Sequence, residues 1–174
     1  MINSGGRHIH SLNSCTQISE LLQVIFAGEI IAPSRCVWLI SPWISDISVI
    51  DNRANTFVFY DGSLSNRKLR LSQVLGKILN LGTTVRIITR PVEYNDSFIS
   101  RMKSYTDAGL PLIIKTADEL HEKGLLGDYY YLSGSMNFTF SGISINQEAV
   151  YYQTNQQIVA ENRIILSDRW GAEA

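Results

Sequence analysis

An α/β layered fold on a mixed, largely parallel sheet is the fold class this sequence predicts, and three observations predict it. The short, continuously apolar run CVWLI at 36–40 suits a central strand covered on both faces, and TVRIIT at 84–89 and LIIK at 112–115 read as further core strands. Longer stretches between them place apolar residues at helical spacing, and strand, helix, strand, helix, strand is the order of successive crossover units in one sheet. With 174 residues, 45% hydrophobic and 18% charged, the chain suits one well-buried core and is too short for two comfortable domains.

Ser14 and Gln17 stand three apart as a capping box, and Ile18, Leu21, Leu22 and Ile25 recur at helical spacing, which predicts a helix over about residues 15–30 that Pro33 stops. Ser41-Pro42 closes the first buried strand. Phe57 to Tyr60 form a second candidate strand, ended by Asp61-Gly62. Leu71, Val74, Leu75, Ile78 and Leu79 make an amphipathic helix with Gly82 as its C-terminal cap. Asp96 can cap a helix carrying Phe98, Met102 and Tyr105, which Gly109 and Pro111 end. From Leu120 the tempo changes. Strands over about residues 119–125 and 129–133, joined at Gly127-Asp128, read as a hairpin. A short strand over 149–153 and a closing helix over about 156–166 follow. Residues 1–12 read as a flexible tail and residues 13–174 as a single domain.

The formal charge of -1 excludes a uniformly basic surface but not a local basic groove. Arg67, Lys68 and Arg70 are the densest basic cluster; they suit either a nucleic-acid backbone or a solvated helix start. The apolar stretch at 21–32 is interrupted by Gln23 and Glu29, too short and too polar for a membrane span, and the first residues carry no apolar signal core. Cys15 and Cys36 are a lone, widely spaced pair, read as reduced thiols of a soluble cytoplasmic protein. His8 and His10 have no third ligand near them in sequence, so neither a metal nor another cofactor is expected.

The chemistry concentrates between His121 and Glu148. If this segment opens as a strand, His121 and Lys123 project from one face. A neutral imidazole can attack phosphorus, and an adjacent ammonium can hold the phosphate oxygens as charge builds on them. In Gly134-Ser135-Met136-Asn137 the glycine permits a close turn, after which the Ser hydroxyl and Asn amide can donate to non-bridging oxygens. Glu148 can accept the second imidazole proton, as the third member of a triad does. Asp128 has two readings, a member of the catalytic set or a turn residue beside Gly127. The three tyrosines at 129–131 suit core strand positions, with base stacking as the alternative.

His121, Lys123 and Asp128, followed by Gly134, Ser135 and Asn137, resemble the H-x-K-x4-D and G-S-x-N signature of the phospholipase D superfamily. The strand ending in Ser41-Pro42-Trp43 and the pair Asn146-x-Glu148 extend the resemblance over most of the chain, although Asp128 and Gly134 are one residue closer together than is usual in the family. The resemblance implies a sheet with helices on both faces and metal-independent phosphodiester cleavage through a phosphohistidine. One motif's histidine attacks, and a second motif's histidine protonates the leaving oxygen. Only one motif is present, which implies a homodimer whose two His121 side chains meet across a two-fold axis in one composite site. A small single-motif chain is most similar to the bacterial nuclease branch. That implies a DNA or RNA substrate and, by analogy, protein partners in a multi-component modification, restriction or defence system. A non-catalytic nucleic-acid-binding or scaffold subunit is the alternative. A lipid phosphodiesterase is the third reading, against which no basic amphipathic membrane-surface helix stands out.

Overall fold

The computed structural model describes residues 6–10, 15–57 and 62–171. In chain order the elements are β1 (Gly6–His10), α1 (Cys15–Ile31), β2 (Cys36–Ile40), β3 (Ser48–Asp51), β4 (Lys68–Arg70), α2 (Leu71–Asn80), β5 (Thr84–Thr89), α3 (Glu93–Asp107), β6 (Leu112–Thr116), β7 (Gly124–Leu126), β8 (Tyr131–Gly134), α4 (Phe140–Ser144), β9 (Ala149–Gln153) and α5 (Gln156–Trp170). Seven strands make one sheet in the order β1-β9-β8-β7-β2-β5-β6, and β3 and β4 form a separate two-stranded ribbon.

Every residue of β2 is buried, because both faces of the strand are covered. Its side chains alternate between two cores. Val37 and Leu39 join residues of α1, α2 and α3, including Leu22, Phe26, Val74, Ile78, Phe98 and Met102. Cys36, Trp38 and Ile40 face the other way, toward Val159 and Leu166 of α5. Cys36 is buried. No helix among the described residues is long and apolar enough to cross a membrane.

The sheet is mixed, yet parallel pairing is confined to β2–β5 and β5–β6. The other neighbours in it, β2–β7, β7–β8, β8–β9 and β9–β1, are antiparallel, which corrects the expectation of a largely parallel sheet. The reason is connectivity. Parallel neighbours need a crossover, which α2 and α3 supply, whereas β7 and β8 are joined by a tight turn.

Other expectations are also corrected. Gly6–His10, read as part of a tail, pairs along its whole length with β9; Ile9 is buried, and the His8 ring lies 4.2 Å from that of Tyr151. β7 is shorter than the strand predicted over 119–125. Its register with β2 ends at Ile40 opposite Gly124, so residues 120–123 have no strand to pair with. Asp96 lies within the first turn of α3, whose N-cap is Val92. The ribbon and α4 were not foreseen. Of the strand predicted over 57–60, Phe57 sits in a bend and the rest lies outside the described residues, as do Ser14 of the capping box and the Cys15 side chain.

Candidate active site at one end of the sheet

The strand directions bring distant segments to one edge. β2, β5 and β8 end there, while β7 and β9 begin there, since Ile40 is level with Gly124, Gly124 with Ser133, and Gly134 with Val150. Ser41 and Trp43 therefore follow β2 at this edge, Arg90 follows β5, and Ser135 and Asn137 follow β8. His121 and Lys123 precede β7, and Glu148 precedes β9.

His121 is exposed and lies in irregular chain rather than on a strand. Its nearest partner is Arg90, a residue that no motif singled out. Arg90 Nη2 stands 3.3 Å from Nε2 and 3.5 Å from Nδ1 of the imidazole, and Arg90 Nε donates to the Leu120 carbonyl at 2.8 Å. The guanidinium lies over the Trp43 ring, 5.1 Å from its centroid. Lys123 folds back so that Nζ donates to the His121 carbonyl at 2.6 Å, which replaces the strand geometry expected to align the two side chains. Lys123 also lines a small cleft with Ser133, Gly134, Met136 and Phe138. Glu122 points away to Arg169 of α5 at 3.0 Å. Burial, and then the Glu122 carboxylate, raise the Tyr131 phenol above its ordinary pKa.

The Gly-Ser-x-Asn turn is fixed by close backbone approach. Gly134 has φ +151°, and a Cβ there would stand 2.1 Å from the Ala149 carbonyl oxygen. This contact lets Ser135 N–H donate to Ala149 O at 3.0 Å, while Ala149 N–H donates to Ser135 Oγ at 3.1 Å. Ser135 Oγ donates in turn to Glu148 Oε2, and Asn146 Nδ2 donates to Oε1 at 3.2 Å. Glu148, buried at 8% exposure, thus orients Ser135, and the group against His121 within the chain is Arg90 rather than Glu148. Asn137 Oδ1 accepts from Ser41 Oγ at 3.3 Å, so the side-chain amide N–H groups are left to donate elsewhere. Ser41 also receives the Phe138 N–H at 3.2 Å, which ties the β8 turn to the end of β2.

Asp128 is not in this group. It occupies the β7–β8 turn at the opposite end of β7, seven residues along the chain from His121. Its carboxylate pairs with Arg35 at 3.1 Å and Arg163 at 3.0 Å, receives the Arg35 N–H at 3.1 Å, and its own N–H donates to Ser34 Oγ at 2.8 Å. The catalytic reading of Asp128 is therefore replaced by the turn reading. The residue clamps the start of β2 and helix α5 to the hairpin. Asp128→Ala is expected to lower unfolding free energy by about 2–3 kcal/mol, since it strips a charge partner from the largely buried Arg163, with turnover per folded molecule unchanged. Urea denaturation alongside activity normalised to folded protein checks this.

The basic cluster is exposed on and beside β4 and makes no contact with His121. Arg67 Nη1 donates to Ser63 O at 3.2 Å, Lys68 lies 3.7 Å from Asp51, and Arg70 Nη1 donates to Asp46 O at 2.9 Å. Of the tyrosines, Tyr129 is exposed, Tyr130 buried and Tyr131 half-buried; none stacks at the site edge in the manner of a base platform.

Residues 49–170 match the protein family described as "Cardiolipin synthase, PLD-like domain". Among solved structures, NucT from Helicobacter pylori is similar at a TM-score of 0.63 and 10% identity, over 94% of this chain and 93% of that one. Nuc from Salmonella typhimurium, a phospholipase D family member, is similar at 0.60 and 16%, over 95% and 93%. TrmBL2, an archaeal chromatin protein with a novel mode of DNA binding, is similar at 0.57 and 12%, over 97% of this chain and 54% of that one. At these identities the likeness is one of fold. No curated protein matches the chain.

Proposed function

Since the chain belongs to the phospholipase D-like family, matched over residues 49–170, we propose that it is a metal-independent phosphodiesterase that cleaves nucleic acid through a phosphohistidine on His121. The observation that carries this reading is the gathering of His121, Lys123, Ser135, Asn137 and Glu148 at one sheet edge from separate segments of sequence. A nitrogen of His121 attacks phosphorus, forming an N–P bond as the bond to the leaving oxygen breaks. The partner's His121, entering as imidazolium, gives that oxygen its proton. The resulting neutral imidazole then takes a proton from water, whose oxygen displaces His121 and restores the free enzyme. Lys123 and the Asn137 amide hold the non-bridging oxygens, where charge develops most strongly. Ser135 donates its hydroxyl proton to Glu148 and joins them where that proton turns to the phosphate instead.

One His-x-Lys motif per chain is the reason for pairing: the acid comes from a second copy, which places the site on an isologous two-fold interface. Mixing wild-type chains with an equal amount of His121→Ala chains, after subunit exchange, is expected to leave about one quarter of the activity of the same total amount of wild-type chains, because only wild-type pairs hold both histidines. Retention of one half, measured on the exchanged mixture, contradicts the composite site.

A nucleic-acid substrate is supported by the end-to-end likeness to the small Nuc and NucT chains and by the DNA-binding TrmBL2. The setting is a cytoplasmic multi-protein system acting on modified or foreign DNA, with sequence recognition supplied by a partner. The test is incubation of the purified chain with single-stranded DNA, double-stranded DNA and RNA in EDTA, with phosphatidylcholine vesicles as the lipid arm. Cleavage of none of the nucleic acids, with His121→Ala indistinguishable from wild type, sinks the reading. The likeness to a chromatin protein favours a second reading, a nucleic-acid-binding subunit without turnover, marked by binding that persists with no cleavage.

A further inference from the structure

We propose that Arg90 is a phosphate ligand of this site, held by the protein through Nε and Nη2 so that Nη1 faces the substrate. Arg90 is the first residue beyond β5, and its backbone is fixed. Its carbonyl accepts from Asn95 Nδ2 at 2.9 Å, and Asn95 is itself buried and bonded to Pro42 O and Thr89 Oγ1. The side chain is fixed as well. Nε is taken by Leu120 O, Nη2 lies against the His121 ring, 3.3 Å from Nε2 and 3.5 Å from Nδ1, and the guanidinium plane rests on Trp43. Nη1 has no partner among the described residues.

Charge sharpens the point. Arg35, Arg53, Arg101, Arg163 and Arg169 each have a carboxylate within 4.0 Å. Arg90 has no carboxylate partner among the described residues, and what surrounds it is a carbonyl, an imidazole and an indole. A planar fork braced on two edges and stacked on one face, with its charge uncompensated, is preorganised for an anion. It stands against the ring assigned as nucleophile, so the anion it fits is the phosphoryl group under attack. Together with Lys123 it places cations from two different strand ends around one phosphate.

This inference rests on the site reading above but is tested without turnover. Inorganic phosphate is titrated into the full chain by calorimetry, using wild type, Arg90→Gln and Arg90→Lys. Arg90→Gln is expected to weaken phosphate binding by about tenfold or more, and Arg90→Lys to recover part of that loss, because lysine keeps the charge and loses the braced, stacked fork. Phosphate affinity unchanged in Arg90→Gln overturns the proposal. So does an Arg90→Lys variant as weak as Arg90→Gln, the pattern of a purely structural brace. In wild-type protein the Arg90 guanidinium 15N signals are expected to shift with phosphate along the calorimetric isotherm, and their failure to move overturns it without recourse to any variant. Weakened phosphate binding in a protein that cuts no phosphodiester leaves the ligand role standing and removes the hydrolytic reading. Cleavage that depends on His121 with Arg90→Gln fully active does the reverse.

Discussion

Replacing His121 with asparagine is expected to lower kcat by about four orders of magnitude or more and to abolish the acid-labile phosphorus adduct. Asparagine keeps a polar side chain of similar reach, so the change isolates nucleophilicity and proton transfer rather than volume. In a composite dimer the loss counts twice, because each His121 is nucleophile in one role and acid in the other. Stability is expected to hold. His121 is exposed and outside every strand, a setting in which substitutions usually stay within about 0.5 kcal/mol. Acid-quench trapping with a slow phosphodiester, read beside a melting curve, separates the two effects. Wild-type turnover in His121→Asn removes the phosphohistidine mechanism.

Gly134→Ala is the second large effect, and it acts through the backbone. The new methyl would meet the Ala149 carbonyl at 2.1 Å, and φ of +151° is a conformation that side chains strongly disfavour. Neither neighbour can yield cheaply, since both belong to the β8–β9 ladder. The strands must part at the site end, which separates Ser135 from Glu148 and moves Asn137. The expected cost is about 2–4 kcal/mol of stability and about a hundredfold in kcat/KM. A urea midpoint and turnover both equal to wild type would show that the close approach is dispensable.

The two kinds of information, run and register, were unequally legible in the sequence. β2 and β5 were readable to the residue because strands buried on both faces are short, mostly apolar runs, unbroken in β2 and interrupted in β5 by Arg86. α2 was readable because Leu71, Val74, Leu75 and Ile78 share one face and Gly82 ends it. β1 was not. It contributes one buried apolar residue, Ile9, and its partner strand begins at Ala149, so no local pattern announces the pairing. β7 was placed but mismeasured, since its length is set by where β2 ends. At the site, His121, Lys123, Ser135, Asn137 and Glu148 were all visible as a motif and do reach one edge. Arg90 was invisible because its relation to His121 exists only across the β2–β5–β7 end of the sheet. Asp128 shows the converse: regular spacing from His121 said nothing of function, since three residues of β7 carry it to the other end. The Arg67, Lys68 and Arg70 cluster could be counted in sequence, but not that Asp51 and Asp46 would sit against two of its members.

The stretch that carries His121 has no backbone ladder, and what holds it is charge. Arg90 grips Leu120, Arg169 grips Glu122 across a largely exposed pair, and Lys123 grips the His121 carbonyl. Exposed contacts of this kind weaken over a Debye length of about 10 Å at 0.1 M salt. Ionic strength therefore acts on the protein as well as on any polyanion it meets: adding salt is expected to loosen the tether of His121 before it weakens the sheet beneath.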